Sequence, residues 1–199
     1  MRPNPLTGSP LPRSVDVGGE SVPIASGWRS VVRVMRILDS AEHDAVRAEA
    51  ALRAAFGDPL PPAVAASRAA ALEALVSWLG MNEEQPPPSP RRKARMRRSR
   101  HVRSWDWNRD ADAVVADFQR FYGIDLADPG TEMHWWRFWS LFKNLPAGSA
   151  SMDRIGVRLA DKDDFKGDAW RDMRERKIAA MLPARTEEEA LANMELLSG

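Results

Sequence analysis

The sequence contains no cysteine among its 199 residues and only three histidines. The lack of cysteine excludes disulfide bonds, thiolate zinc sites, iron–sulfur clusters and cysteine nucleophiles. The histidines stand singly in different segments, and no apolar run approaches the ~20 residues that span a bilayer. The N-terminus leads into Pro- and Gly-containing sequence rather than an apolar stretch. We therefore expect a protein of a reducing cytoplasm, neither exported nor inserted into a membrane.

Catalytic signatures are also missing. There is no Gly-rich phosphate loop ending in Gly-Lys-Ser/Thr, no dinucleotide fingerprint, no Gly-x-Ser-x-Gly elbow and no His-Glu-x-x-His helix. Residues 161–167 superficially resemble a calcium loop, but Phe165 and Lys166 occupy its fifth and sixth positions, and the sixth requires glycine. The favoured interpretation of residues 161–167 is a solvated loop before a helix.

We predict a protein that is not an enzyme and has neither a cofactor nor a metal site.

The fold class is predicted to be mainly α-helical with a small N-terminal β-hairpin. Two short alternating runs, Ser14–Val17 and 21–24, flank Gly18 and Gly19. Because glycine tolerates the positive φ of tight hairpin turns, this pattern favours a hairpin. Pro23 cannot donate a hydrogen bond to a neighbouring strand, so its strand should lie at an edge.

Three helices should follow and complete an N-terminal lobe over residues 14–80. The first has apolar residues at i, i+3, i+4 and i+7 from Trp28, with Ser26 as its N-cap. Asp39 with Glu42 resembles a capping box for the second helix. An alanine-rich third helix completes the lobe.

The next segment, residues 81–104, is predicted to be a Pro- and Arg-rich linker. Residues 91–103 contain eight basic and no acidic residues, whereas the flanking parts of the chain are mildly acidic. Clustered guanidinium groups bind phosphates, and the nearby Trp105 and Trp107 could stack on bases. We favour a solvated linker, because no recognisable nucleic-acid module accompanies the run. The candidate nucleic-acid residues are Arg91, Arg92, Lys93, Arg95, Arg97, Arg98 and Arg100.

A second helical lobe is predicted over residues 105–182, followed by an acidic helix or tail over 183–199. The first helix of this second lobe, residues 110–122, should end at Gly123. An aromatic helix comes next, and two further helices follow it. Thr186 with the glutamates after it indicates the start of the terminal helix, whose acidic first turn suits the helix dipole.

The aromatic helix is the most informative element. Thr131 is its predicted N-cap, and Trp135, Phe138, Trp139 and Phe142 follow helical spacing, with Trp136 widening the apolar surface. Five aromatic side chains represent on the order of 25 kcal/mol of transfer free energy as an upper bound. They should therefore form the core of the second lobe, which we favour, or a groove for an apolar helix of a partner. Both can hold together. The candidate partner-binding residues are Trp135, Trp136, Phe138, Trp139, Phe142, Trp105 and Trp107.

The neighbouring His134 is one of the three histidines. A packed or helix-capping histidine is favoured over a proton-transfer role.

The order of these motifs resembles a known family. After the hairpin and the Trp-bearing helix come Asp110-Ala111-Asp112, Tyr122-Gly123-Ile124-Asp125-Leu126, Met133-His134-Trp135-Trp136-Arg137-Phe138 and Leu145-Pro146. This order is similar to that of the phage family named bacteriophage gp-fifteen, found in siphophage tail gene clusters. The resemblance covers most of residues 14–182.

The resemblance implies a tail-assembly chaperone. Such a protein would bind the tape-measure protein in the host cytoplasm, keep it soluble while tail-tube subunits polymerise, and be absent from the mature virion. It implies no catalytic residues, and it leaves the tail-tube protein or a second copy of the chain as further partners. Two alternatives stay open: a nucleic-acid-binding or packaging adaptor acting through the Arg-rich linker, and a minor structural component of the tail or head-tail connector.

Overall fold

The computed structural model describes residues 10–81 and 102–198. Within them the protein is mainly helical and has one two-stranded antiparallel sheet, as the sequence predicts. No helix of this part is both long and apolar enough to cross a bilayer. The elements, numbered here in chain order, are β1 (Ser14–Val17), β2 (Glu20–Pro23), α1 (Trp28–Leu38), α2 (Asp44–Phe56), α3 (Pro62–Ala66), α4 (Arg68–Leu79), α5 (Ala111–Tyr122), α6 (Trp135–Lys143), α7 (Ala150–Arg158), a 3-10 turn (Lys162–Asp164), α8 (Asp168–Ala179) and α9 (Glu187–Ser198).

The described residues fall into two units. Unit 1 comprises residues 10–81 with Asp128–Asn144, and unit 2 comprises residues 102–127 and 145–198. Most of the predicted linker, residues 82–101, lies outside the described residues. The aromatic helix α6 belongs to unit 1, although the sequence-based division assigned it to the second lobe. Side chains of α6 pack on α1 and α4, and this packing determines its place.

The hairpin of unit 1 pairs Ser14 with Pro23 and Val17 with Glu20. Gly18 and Gly19 adopt positive φ values of 63° and 90° in its turn, which is the conformation predicted for them. Alternation places three valines, Val15, Val17 and Val22, on the buried face, where β1 contacts α4.

Helix positions agree with the predicted pattern better than helix starts do. Ser26 does not cap α1; Gly27 occupies that position, and the Ser26 carbonyl instead accepts a hydrogen bond from the Trp135 N–H at 2.7 Å. The N-cap of α2 is His43, whose ring nitrogen accepts from the Ala45 N–H, rather than the predicted capping box. The predicted third helix is divided at Ser67, where φ of −135° and ψ of 62° interrupt the helical backbone.

Unit 2 is built on α5, which ends at Gly123 in the left-handed conformation as predicted. The buried carboxylate of Asp117 on α5 accepts hydrogen bonds from the Ala150 and Ser151 N–H groups at 3.0 and 2.8 Å. It thereby satisfies free donors at the start of α7 and fixes that helix against α5. The terminal helix α9 begins as expected, with the Thr186 hydroxyl accepting from the Glu189 N–H at 3.1 Å.

Candidate partner-binding surface

The aromatic residues of α6 are divided by burial. Trp135, Trp136, Phe138 and Phe142 are buried within the chain, whereas Trp139 is half-buried. Four of the five are therefore core residues, as favoured, but they lie in unit 1 rather than in the predicted second lobe. In this conformation those four do not present a surface to a partner.

Contacts with α1 and α4 bury these rings in unit 1. The Phe138 ring stacks on Trp28 of α1 with centroids 5.2 Å apart, and the Trp136 ring lies 6.2 Å from that of Trp78 on α4. Both buried indoles find acceptors at the end of α4: Trp135 Nε1 donates to the Leu79 carbonyl and Trp136 Nε1 to the Trp78 carbonyl, each at 2.9 Å. The polar edges of these rings are thus satisfied without water.

Trp139 continues the row of rings toward solvent. Its ring stacks between Trp135, at 5.3 Å, and Phe142, at 5.5 Å, with interplanar angles of 20° and 18°. Stacking on two buried neighbours limits the conformations of this indole. Trp139 is therefore the member of the row that combines a fixed orientation with accessible surface.

Helix α6 begins at His134 rather than at the predicted cap Thr131. The His134 ring accepts from the Trp136 N–H through Nδ1 at 3.1 Å, and its Nε2 lies 2.9 Å from the Pro12 carbonyl. Accepting at Nδ1 while donating from Nε2 requires the neutral ring with its proton on Nε2. The favoured capping role is therefore confirmed.

His134 should make unit 1 sensitive to acid. Burial is the main reason that the pKa of His134 lies below its ordinary value of 6.5. The unfolded chain binds the proton more readily, so the stabilisation is complete above pH ~6.5 and is lost as the pH falls toward the folded-state pKa. Urea unfolding between pH 7.5 and 5 should show this loss, and His134→Asn, which retains a capping oxygen, should reduce it. His43→Asn changes the other histidine N-cap and is the control; an unchanged pH dependence in His134→Asn would contradict the assignment.

The two tryptophans that follow the basic run, which the sequence suggested as candidate partner-binding residues, lie in unit 2. Trp105 and Trp107 are both half-buried, and their rings meet edge to face at 5.8 Å. The seven basic residues of the nucleic-acid alternative, from Arg91 to Arg100, lie outside the described residues. Arg103, the last residue of the charge run, donates to Asp106 at 2.8 Å and to the Pro183 carbonyl at 2.6 Å. This arginine therefore holds unit 2 together.

Comparison with known proteins supports the resemblance found in the motifs. The sequence profile described as bacteriophage Gp15 protein matches residues 8–181. The chain belongs to the bacteriophage Gp15 family. No curated protein and no solved structure matches the chain.

The Gp15 match includes the aromatic helix α6 and ends before α9. The Gp15 family is one of phage structural or assembly proteins rather than enzymes. Within residues 10–81 and 102–198, no group of three or more His, Asp or Glu side chains is arranged to hold a metal ion. The segment that superficially resembles a calcium loop forms the 3-10 turn Lys162–Asp164. Asp161 caps the start of this turn, because its side chain accepts a hydrogen bond from the Asp163 N–H.

A buried ionic cluster of this Gp15 protein was missed by the sequence reasoning. The Asp110 carboxylate is 1% exposed and pairs with the Arg158 guanidinium through contacts of 2.6 and 3.0 Å. Arg154 lies 3.3 Å from the same carboxylate and forms a two-pronged pair with Asp112 at 2.9 Å. Sequence reasoning treats charged residues at helix starts as solvated. The short spacing Arg154 to Arg158, one helical turn on α7, was the available signal.

A second carboxylate organises the start of unit 2. Burial alone would raise the pKa of Asp106, but hydrogen bonds from the Arg109 and Asn108 N–H groups, with Arg185 and Arg103 alongside, hold it below the ordinary value. Asp106 is thus a fixed anion that holds two arginines. This arrangement serves structure, because its charges are matched inside the unit.

Unit 2 also contains a cavity of about 320 Å³, lined by residues of α7, α8 and α9. Three of its basic side chains, those of Arg103, Arg158 and Lys177, are engaged by the protein itself. Arg158 pairs with Asp110, and Lys177 Nζ donates to the Ala160 carbonyl at 2.7 Å. The lining therefore identifies no ligand class.

Proposed function

We propose that the protein is a tail-assembly chaperone that binds the tape-measure protein of a siphophage and keeps it soluble before the tail tube forms around it. The observation that carries the proposal is membership of the bacteriophage Gp15 family over residues 8–181. A chaperone for a long helical client needs accessible apolar or aromatic surface. The protein would act in the host cytoplasm, with the tail-tube protein or a second copy as further partners.

Trp139 is the contact residue we favour in unit 1. Its ring is half-buried and stacked on Trp135 and Phe142, so little side-chain entropy would be lost when a client covers it. Fixed tryptophans are frequent binding hot spots. The four buried aromatic residues of α6 would then act by positioning this ring rather than by touching the client.

Coexpression with the tape-measure protein tests the proposal. The tape-measure protein should accumulate in the soluble fraction and copurify with the chaperone at high salt, because apolar contacts are not screened. Trp139→Ser should lower the copurified amount about tenfold, as expected for the loss of one hot-spot contact. Val76→Ser, an exposed apolar position of the same unit, is the matched control and should have little effect.

Two results would contradict the proposal. An insoluble tape-measure protein with no copurified complex would contradict the chaperone role itself. Mass spectrometry that finds the protein in stoichiometric amounts in purified virions would favour a minor structural component instead. If Trp139→Ser gave a normal yield of the complex, the chaperone role would stand, but Trp139 would not be a contact residue.

A further inference from the structure

The terminal helix α9 carries an apolar face that its own unit leaves exposed. Leu191, Met194 and Leu197 are 60%, 61% and 53% exposed, and because they are spaced three residues apart each adjoins the next on the helix surface. The helix begins after the last residue matched by the Gp15 profile. A contiguous exposed apolar stripe is typical of an interaction surface, whereas single exposed residues such as Val46 and Val76 are ordinary.

Other contacts attach α9 to unit 2. Asn193 Nδ2 donates to the Leu182 carbonyl at 3.3 Å, and Arg174 donates to the Leu197 carbonyl at 2.8 Å. At its start, a Glu189 carboxylate oxygen accepts from the Arg185 N–H at 2.8 Å. The helix is thus held through Asn193 and near its two ends, while the side chains of Leu191, Met194 and Leu197 stay exposed.

The charge of α9 limits what can cover the stripe. Its twelve residues include four glutamates and no lysine or arginine. Glu187, Glu188 and Glu195 are exposed beside the apolar residues. A second copy of α9 would bring like charges together, and nucleic acid would be repelled. A helix with basic residues beside an apolar stripe would instead match the surface in charge.

We propose that the α9 face, defined by Leu191, Met194 and Leu197 with Glu187, Glu188 and Glu195, docks an amphipathic helix of another polypeptide whose apolar stripe is flanked by Lys or Arg. The apolar residues supply the buried area, and the glutamates select for basic flanks and fix the orientation. This site shares no residue with the α6 surface and does not depend on the chaperone proposal.

Two synthetic helical peptides test this site on the full chain. Both carry the same leucine stripe, flanked by lysines in one and by glutamates in the other. Fluorescence anisotropy should detect binding of the lysine peptide and none of the glutamate peptide. Leu191→Ser combined with Leu197→Ser should weaken binding at least about tenfold. Val46→Ser combined with Val76→Ser, which changes equally exposed apolar residues elsewhere, should leave binding unchanged.

A charge-reversed variant guards against simple loss of folding. Glu188→Lys combined with Glu195→Lys should favour the glutamate peptide, a gain that a damaged helix could not produce. The proposal is overturned if the serine variant binds as well as the parent chain, or if charge reversal leaves the preference unchanged. It is also overturned if α9 instead drives self-association that the serine variant abolishes. No tape-measure protein is present, so failure here is distinct from failure of the chaperone role.

Discussion

Replacement of Asp110 by asparagine is expected to lower the free energy of unfolding of unit 2 by about 3–5 kcal/mol, which is the usual consequence of breaking a buried ion pair from one side. The carboxylate is almost inaccessible and pairs with Arg158 and Arg154. It also accepts from the Asp106 N–H at 2.9 Å. Neutralising it leaves two guanidinium groups without their buried counter-ion. Urea unfolding followed by circular dichroism measures the change.

Asp112→Asn is the matched control, because Asp112 pairs with Arg154 but its side chain is 71% exposed. Solvent screening should limit its effect to under about 1 kcal/mol. A double variant, Asp110→Asn with Arg158→Met, should be less destabilised than the sum of the single variants, since the two groups are in direct contact. Equal effects from Asp110→Asn and Asp112→Asn would show that the buried cluster contributes no more than a surface pair.

Trp136→Ala should destabilise unit 1 by about 3–5 kcal/mol, because a buried ring is replaced by a cavity that the packed surroundings cannot fill. The Trp136 side chain is 1% exposed, packs on Trp78 and donates to its carbonyl. Trp136→Phe retains most of the ring area but loses one donor to the Trp78 carbonyl, which still accepts from the Met81 N–H at 2.9 Å. The cost should therefore be about 1 kcal/mol, that of one net hydrogen bond. Chemical unfolding monitored by fluorescence gives both values.

Trp139→Ala provides the comparison within the same helix. Its half-buried ring should contribute clearly less to stability than Trp136, while it contributes more to client binding. The opposite order, with Trp139 dominating stability and Trp136 dispensable, would mean that the assignment of core and surface on α6 is wrong.

Helical periodicity was enough to predict the helical segments, and the apolar spacing of α6 reflects the face that it buries. In α1 the buried residues are Val31 and Val34, of which only Val31 belongs to the predicted stripe. It was less informative about where helices begin. Histidine at N-cap positions is uncommon, so the roles of His43 and His134 as caps lay outside the usual Ser, Thr, Asp and Asn pattern. The capping role of His134 was anticipated, but the displacement of Thr131 was not.

The position of α6 in unit 1 depends on contacts between residues that are distant in the sequence. The Gly27 and His134 backbones form an isolated antiparallel bridge, and the Trp28 N–H donates to the Met133 carbonyl at 3.1 Å. These bonds join residues more than a hundred positions apart, and no local pattern encodes them. Proximity along the chain therefore suggested the second lobe, whereas tertiary pairing placed α6 in unit 1.

The sequence predicted the candidate site only in part, because it does not specify which residues contact one another in the fold. Transfer free energy correctly required coverage of the aromatic stripe, but it could not specify whether this chain or another supplies that coverage. Trp28, Trp78 and Leu79 of unit 1 contact the buried rings. The buried pair of Asp110 and Arg158 was unpredictable because charged residues are rarely buried unless paired, and the partner lies on another helix.

Calorimetric titration of the purified protein with a soluble segment of the tape-measure protein tests the central claim most directly. We expect saturable binding with a negative heat-capacity change, which marks the burial of apolar surface. The affinity should change little between about 0.1 and 0.5 M salt, roughly the range over which surface charges become screened. Absence of binding would contradict the account. So would an affinity that collapses with salt and a heat-capacity change near zero, which would indicate an electrostatic partner instead.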